Sequence, residues 1–228
     1  MLKQKLKYLI KSLPDPISRL LIGVYRIPYK IKISISNKRK IANFLKRESL
    51  KLELGSSVKK SGWVTIDLKR GADLHLNLVK AFPFPDESIT EIHSEHLLEH
   101  LTLEEIKFLL KECFRVLKIG GEISFGVPDF ARACRVYLLD KDRFYKEKFW
   151  LSPSPNWCKS KLDELNFLIY ADGYHKFMFD KENGIQRLRE VGFKECRVRD
   201  YDPEKDDQKY NPRIKNGHEA IYFVAKKI

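Results

Sequence analysis

Residues 50–67, LKLELGSSVKKSGWVTID, decide how the rest of the chain is interpreted. Alternating apolar residues over 50–54 predict a first strand, which ends in small residues that begin at Gly55. Residues 62–66 predict a second strand, and Asp67 ends it. The order is therefore a strand, a small-residue turn, a second strand and an acid. The same order is typical of α/β proteins that hold a nucleoside at the carboxyl ends of parallel strands.

The rest of the chain continues this alternation of strands and helices. Strands are predicted at 72–76, 89–95, 122–127, 195–201 and 220–225, and helices at 37–48, 103–117 and 180–191. The expected fold is α/β, with a Rossmann-like, doubly wound, seven-stranded and mostly parallel sheet. A final antiparallel hairpin and an N-terminal helical extension complete it.

Length and composition favour one globular domain with short appendages. The chain has 228 residues, and 43% of them are hydrophobic. The four cysteines form no C-x-x-C pair, so reduced structural thiols are expected. No apolar run approaches the roughly 18 residues of a membrane span, and lysines interrupt the N-terminal apolar stretches. These features predict a cytoplasmic protein.

Positive charge is concentrated at the N-terminus. Residues 1–50 hold 13 lysines and arginines against only Asp15 and Glu48, a net +11 out of +13 for the whole chain. Residues 1–13 predict a basic amphipathic helix, and residues 17–25 predict a more apolar one. Such a pair suits the anionic inner face of a membrane, although two helices that cap the domain with a solvated basic face explain the pattern as well. Nucleic acid is a weaker candidate partner, because aromatic residues for base stacking are sparse there.

Four short runs within residues 50–129 resemble a known family: GWVTID at 62–67, PFPD at 83–86, LEH at 98–100 and RVLKIGG at 115–121. Together and in this order they are similar to the core of class I S-adenosylmethionine-dependent methyltransferases. The nearest branch is the type 11-like group associated with surface-polysaccharide and glycolipid biosynthesis.

The resemblance implies S-adenosylmethionine as the cofactor. Gly55 would let the backbone approach it, Asp67 would accept hydrogen bonds from the ribose hydroxyls, and Asn77 would lie near the adenine. Ser57 stands where relatives place a second glycine. The predicted cofactor-binding residues are Glu53, Gly55, Ser56, Ser57, Asp67, Asn77, Leu78 and Ser94.

The implied reaction is methyl transfer to an oxygen or nitrogen nucleophile, with a saccharide or glycolipid as acceptor. An imidazole has a pKa suited to removing a proton at neutral pH, so His96 and His175 are the candidate bases. Glu95 and Asp129 are predicted to lie behind them. The predicted domains are a basic extension at 1–35 and a methyltransferase domain at 36–228, with a lid insertion at about 130–172.

Residues 96–100 also match H-x-x-E-H, the inverted zinc-peptidase pattern. A zinc peptidase needs both histidines on one helix and a further acidic ligand downstream. Here the pattern begins directly after a predicted strand, so the sequence assigns no metal ligand.

Two further alternatives stay open. Ser57 and Asn77 suit a protein that binds the cofactor without turnover, and the basic extension suits an RNA-modifying methyltransferase.

Overall fold

The computed structural model describes residues 34–139, 155–199 and 220–228. The chain divides into two compact units, Met1–Lys46 and Arg47–Ile228. In the first unit, residues 34–44 form helix α1, which overlaps the helix predicted at 37–48. The helices predicted at 1–13 and 17–25 lie outside the described residues, so the membrane and RNA interpretations of the extension stay predictions.

The second unit contains a six-stranded sheet. Its strands are β1 (Lys51–Leu54), β2 (Trp63–Ile66), β3 (Ile89–Glu95), β4 (Leu117–Pro128), β5 (Lys194–Arg199) and β6 (Ala220–Lys226). They are ordered β2-β1-β3-β4-β6-β5. The three pairings among β2, β1, β3 and β4 are parallel, and the two pairings made by β6 are antiparallel. The predicted mostly parallel sheet with an antiparallel end is therefore confirmed.

The predicted seventh strand, at 72–76, is not formed in the described part of the chain. Only Leu74 pairs with β2, through a single parallel bridge to Ile66. The Asp73 carboxylate explains this, because its Oδ2 accepts hydrogen bonds from the Thr65 amide and the Thr65 hydroxyl, both at 3.1 Å. A side chain that bonds the neighbouring backbone competes with a regular ladder.

Four α-helices and two 3₁₀ turns accompany the sheet in the described residues of the second unit. After α1 they are α2 (Leu103–Val116), α3 (Phe130–Leu139), α4 (Lys161–Tyr170) and α5 (Lys181–Glu190), with turns at Leu98–His100 and Ala171–Gly173. Helices α2, α4 and α5 each begin with a capping box, which satisfies amide donors that a helix start leaves free. Thr102 caps α2 as the sequence predicts.

Strand side chains form much of the core. Leu52, Val64 and Phe223 are completely buried, and a buried side chain of this kind contributes about 1.5–3 kcal/mol relative to exposure. Ala133 of α3 and Leu165 of α4 belong to a smaller apolar cluster. Both helices belong to the predicted lid at about 130–172, of which residues 140–154 lie outside the described part of the chain.

One polar network, the Arg115 network, joins α2 to the loop that contains the PFPD run. Arg115 donates to both carboxylate oxygens of Glu112, to Asp86 Oδ1 and to the carbonyl oxygens of Phe82 and Phe84. The Phe82 amide donates in turn to Glu112 Oε2 at 2.6 Å. These bonds lower the pKa of the Glu112 carboxyl and raise that of Arg115. The PFPD and RVLKIGG runs are thus linked by structure.

No helix within the described residues combines the length and the apolar character needed to cross a membrane.

Candidate active site

The carboxyl ends of β1, β2 and β3 lie at one edge of the sheet, because these strands are parallel and adjacent. The chain runs from β1 outward to β2 and then returns to the other side of β1 for β3. The strand order therefore reverses between β1 and β3. A reversal of this kind opens a crevice at the carboxyl ends, where open α/β sheets bind ligands.

Gly55 lies at this reversal, directly after β1. Its φ of 81° falls in the left-handed region, and its amide donates to the Ile66 carbonyl at 2.8 Å. A Cβ at this position would lie 3.2 Å from Cβ and Cδ1 of Leu97, in the segment after β3. The backbone conformation and the close approach of Leu97 both favour glycine here.

Ser56 and Ser57 complete the turn after β1. The Ser56 hydroxyl donates to the Val58 carbonyl at 3.0 Å and accepts from the Val58 amide at 3.3 Å, so it stabilises the turn itself. Ser57 is absent from the positive-φ residues of the described chain, so its backbone does not require the glycine that relatives carry. The close approach occurs at Gly71 instead, where a Cβ would overlap the Ser57 carbonyl oxygen.

Asp67 and Asn77 both use one side-chain oxygen in a local turn. Asp67 Oδ1 accepts from the Lys69 amide at 2.7 Å, and Asn77 Oδ1 accepts from the Val79 amide at 3.1 Å. Asp67 Oδ2 has no hydrogen bond to the residues that the structure describes, and it lies at the carboxyl end of β2. Of the two, only Asp67 is partly buried, whereas Asn77 is exposed.

Glu53, a predicted cofactor residue, has a partner within the chain. Its side chain is almost completely buried, and Lys60 Nζ donates to Oε2 at 3.2 Å. Lys60 Nζ also lies 4.6 Å from the centre of the Trp63 ring. Burial raises the pKa of the Glu53 carboxyl, and it outweighs the opposing influence of His93 and Lys60.

The predicted residues at the ends of β3 and β4 differ in their surroundings. Ser94 is buried within the sheet, as is Leu78 in its loop. Glu95 Oε1 is buried without a hydrogen bond and lies 3.8 Å from His93 Nε2. Asp129 Oδ1 accepts from the Arg132 amide at 2.9 Å, so this carboxylate caps the start of α3.

Four polar residues form a group that we name the Glu99 cluster. His96, Glu99 and His100 follow β3 directly, and His175 follows the turn at Ala171–Gly173. His96 has a left-handed φ of 48°, and its Nδ1 lies 3.0 Å from Glu99 Oε1. A carboxylate only accepts hydrogen bonds, so His96 Nδ1 carries the proton and Nε2 carries the lone pair. Glu99 is completely buried. A histidine oriented by a buried carboxylate is a common arrangement for a general base.

His175 belongs to the cluster although it is distant in sequence. The amides of Lys176 and Phe177 donate to the Glu99 carbonyl at 2.7 and 3.3 Å, which holds the two segments together. The rings of His100 and His175 have their centres 5.1 Å apart. Burial lowers the pKa of His175, which favours the neutral form of its imidazole.

The structure does not form the helix that a zinc peptidase needs for H-x-x-E-H. His96 lies outside any helix, and the following residues 98–100 form only one 3₁₀ turn. His96 Nδ1 lies within hydrogen-bond distance of Glu99 Oε1. The described residues therefore lack the helix on which the peptidase interpretation depends, while the assignment of no metal ligand stays a prediction.

Sequence reasoning named His96 and His175 as candidate bases, but it gave Glu99 no role and did not group His100 with His175. The sequence signals for Glu99 and His100 are the LEH run and the H-x-x-E-H pattern, and neither of them predicts a contact with His175. Their grouping with His175 depends on a contact between residues 99 and 176, and no local pattern predicts such a contact.

An apolar cavity of about 260 Å³ lies between α3, α4 and α5. Phe130, Ile169 and Phe179 contribute to its lining. The Phe130 ring also meets His175 edge to face, with ring centres 6.2 Å apart. The cavity therefore adjoins the Glu99 cluster through one shared aromatic side chain.

Residues 57–125 match the family model described as a methyltransferase domain. The match spans less than half of the chain, and it includes all of β2, β3 and α2 together with the turn at Leu98–His100. With the sheet order, it defines an α/β methyltransferase fold with six strands in the described residues. The chain is an enzyme that carries a methyltransferase domain, and its cofactor is S-adenosylmethionine.

Several solved structures are similar in arrangement. One is a SAM-dependent methyltransferase from Archaeoglobus fulgidus, with 14% identity, a TM-score of 0.49 and coverage of 90% of this chain and 99% of that one. Another, from Methanosarcina mazei, has 17% identity, a TM-score of 0.46 and coverage of 82% and 96%. A Haemonchus contortus phosphoethanolamine N-methyltransferase 2 in complex with S-adenosyl-L-methionine has 11% identity, a TM-score of 0.47 and coverage of 84% and 52%. At these values the similarities carry no inference about activity or acceptor. No curated protein matches the chain.

Proposed function

We propose that this enzyme transfers the methyl group of S-adenosylmethionine to a hydroxyl or amine of a saccharide or glycolipid. The observation that carries the proposal is the glycine turn at the strand-order reversal, where Gly55 has a φ of 81° beside the carboxyl end of β3. The acceptor class is supported by the resemblance to the type 11-like branch. The oxygen and nitrogen nucleophiles of such acceptors suit the histidines that follow β3.

The residues at this edge fit the cofactor. Gly55 has a left-handed backbone and no side chain at this turn, which suits the close approach of a ligand to the backbone. Asp67 keeps one carboxylate oxygen available at the end of β2, where it would accept hydrogen bonds from ribose hydroxyls. Ser57 fits as well, because its backbone conformation is open to a residue with a Cβ.

When bound, S-adenosylmethionine supplies a methyl carbon that bonds to the acceptor as its bond to sulfur breaks, which leaves a neutral thioether. The chain positions the acceptor, excludes water and takes the acceptor proton. His96 is the proposed base, because its Nδ1–H donates to Glu99 and its Nε2 bears the lone pair. A hydroxyl acceptor would transfer its proton to that nitrogen.

The first prediction concerns the turn after β1. Replacing Gly55 by Ala should lower cofactor affinity at least about tenfold, because the new Cβ meets Leu97 and the backbone favours glycine. Gly62→Ala is a matched control, since Gly62 has a similar φ of 79° and no heavy atom within 4 Å of a new Cβ. Isothermal titration of S-adenosylmethionine into each folded variant measures the difference. Equal affinity in both variants would remove Gly55 from the binding site.

Methyl transfer itself is tested with radiolabelled cofactor and a panel of sugar nucleotides, glycolipids and RNA. Transfer to a saccharide or glycolipid that is lost in His96→Gln supports the proposal. Cofactor binding without transfer to any acceptor favours the binding-only alternative raised by Ser57 and Asn77. Transfer to RNA alone would instead identify an RNA-modifying enzyme.

A further inference from the structure

Glu99, His100 and His175 bring three metal-ligating side chains together. One ligand atom from each lies within 4.8 Å of the others, and Glu99 is buried while both histidines are partly buried. His100 ends the turn at Leu98–His100, and His175 follows the turn at Ala171–Gly173. The Lys176 amide joins the two segments by its hydrogen bond to the Glu99 carbonyl. The proposed base His96 also contacts Glu99, so the group adjoins the site described above.

The hydrogen bonds of the two histidines fix which nitrogen of each ring bears the lone pair. His100 Nδ1 lies 3.2 Å from the Tyr174 carbonyl, and His175 Nδ1 lies 2.7 Å from the Leu168 carbonyl. A carbonyl only accepts, so both Nδ1 atoms donate, and each Nε2 is left with its lone pair. Metal-ligating histidines are commonly held in this way by a carbonyl at the other ring nitrogen.

Glu99 provides a second and independent indication. Its side chain is completely buried, and its Oε2 has no hydrogen-bond partner within the described chain. Only histidines lie within ion-pair distance of the carboxylate among these residues, at 3.0 Å for His96 and 4.0 Å for His100. Burying a carboxylate without a cation or a full set of hydrogen bonds is costly. A bound cation would satisfy the remaining oxygen.

We propose that Glu99, His100 and His175 form a binding site for a divalent first-row transition metal such as Zn²⁺. Two imidazole nitrogens and one carboxylate oxygen suit zinc, whereas Mg²⁺ and Ca²⁺ prefer oxygen ligands alone. Zinc bonds of about 2.0–2.1 Å place tetrahedral ligand atoms roughly 3.4 Å apart. The three ligand atoms here lie within 4.8 Å of one another, so small side-chain movements would bring them to this spacing.

Three protein ligands leave one tetrahedral position for an oxygen ligand. Such an open position is typical of catalytic rather than structural zinc sites. In this chain it would take water or, resting on the proposed function, the acceptor hydroxyl, whose proton the metal would make easier to remove. His96 hydrogen-bonds to the carboxylate of Glu99, so the proposed base adjoins one of the three metal ligands.

The test uses full-length protein purified without a histidine tag and stripped of metal with a chelator. Isothermal titration with ZnCl₂ should show one site per chain. Glu99→Gln and His100→Gln should each weaken binding by more than the roughly 10–100-fold that loss of an outer partner causes. His75→Gln, a histidine outside the cluster, is the control and should bind like the wild type.

Two further measurements guard against misfolding and against adventitious zinc. Circular dichroism must show that each variant is folded. Co²⁺ should give the visible absorption bands of a tetrahedral site in the wild type and in His75→Gln, and these should be lost in Glu99→Gln. The inference is overturned if stripped wild type binds neither metal at micromolar concentrations, or if Glu99→Gln and His100→Gln bind as tightly as the control.

Titration of S-adenosylmethionine into the same samples separates the two proposals. Zinc binding that depends on Glu99 supports the metal site even if the cofactor does not bind. Cofactor binding and methyl transfer without any zinc binding would leave the proposed function standing and remove the metal site.

Discussion

The Arg115 network and the Glu99 cluster each contain a carboxylate with little exposure to solvent, but these two carboxylates, Glu112 and Glu99, differ in their hydrogen-bond partners. Glu112 is only slightly exposed, and it accepts hydrogen bonds from Arg115 Nε, from an Arg115 terminal nitrogen and from the Phe82 amide. Glu99 is completely buried, and only His96 hydrogen-bonds to its carboxylate in the described chain.

This difference separates structural residues from candidate site residues. A polar network whose atoms are all paired stabilises the fold, because each bond replaces one that water would have made. A buried carboxylate with an unpaired oxygen lowers the stability of the folded state, and such groups are concentrated at functional sites. Resemblance to a family does not distinguish the two regions, whereas the hydrogen bonds of each carboxylate do.

The largest expected effect comes from removing Arg115. Arg115→Ala leaves Glu112 and two carbonyl oxygens without their charged partner, so it should lower the free energy of unfolding by about 3 kcal/mol. Lys111→Ala, at an exposed position on the same helix, should change it by less than about 0.5 kcal/mol. Urea unfolding of both variants measures this. A loss below about 1 kcal/mol for Arg115→Ala would contradict the structural role of the network.

Arg115→Lys should have a smaller effect, of about 1–2 kcal/mol. Lysine keeps the charge but lacks the planar fork that donates to Glu112, Asp86 and the Phe82 carbonyl at the same time. The same urea experiment tests this ranking. If the lysine variant is as stable as the wild type, charge alone accounts for the network and the carbonyl bonds contribute little.

The sequence predicts the framework of this fold well. The alternation of residues 50–54 and 89–95 indicates β1 and β3, and Thr102 with Glu105 marks the start of α2. These features are local, so periodicity and capping chemistry suffice to find them. The strand predicted at 72–76 fails because the bond from Thr65 to Asp73 is a tertiary contact that periodicity does not reveal.

The candidate site is less accessible to sequence reasoning. Gly55 and Asp67 follow strands, so their place at the sheet edge can be predicted from topology. The Glu99 cluster depends on the left-handed backbone of His96, Ala171 and Asp172, with φ between 41° and 54°. Residues other than glycine rarely adopt this conformation, so the sequence gives no warning of it. The roles assigned to the site residues stay predictions.

The Glu53 carboxylate is intermediate between those of Glu112 and Glu99 in its partners, because it is buried and pairs with one lysine. Burial raises its pKa above the ordinary value of 4.5, so the folded state keeps a proton that the unfolded chain has lost. Its contribution to stability is fully present below the unfolded pKa and is lost as the pH rises through the folded pKa. The wild type should therefore lose stability relative to Glu53→Gln as the pH rises above the ordinary carboxyl pKa of 4.5, and urea unfolding at a series of pH values measures this. A difference that does not change with pH would contradict the raised pKa.

The smallest effect is expected for Glu99→Gln in metal-free protein. It allows a direct comparison of the two regions, because the same substitution can be made at Glu112. Glu112→Gln loses charged hydrogen bonds to Arg115 and should cost about 1.5–2 kcal/mol. Glu99→Gln keeps an oxygen for the His96 Nδ1–H and removes a buried charge that no lysine or arginine offsets in the described chain. Its free energy of unfolding should therefore stay within about 0.5 kcal/mol of the wild type. Urea unfolding in the presence of a chelator measures both variants. If Glu99→Gln costs as much as Glu112→Gln, the Glu99 carboxylate is a structural partner like Glu112, and its unpaired oxygen no longer indicates a site.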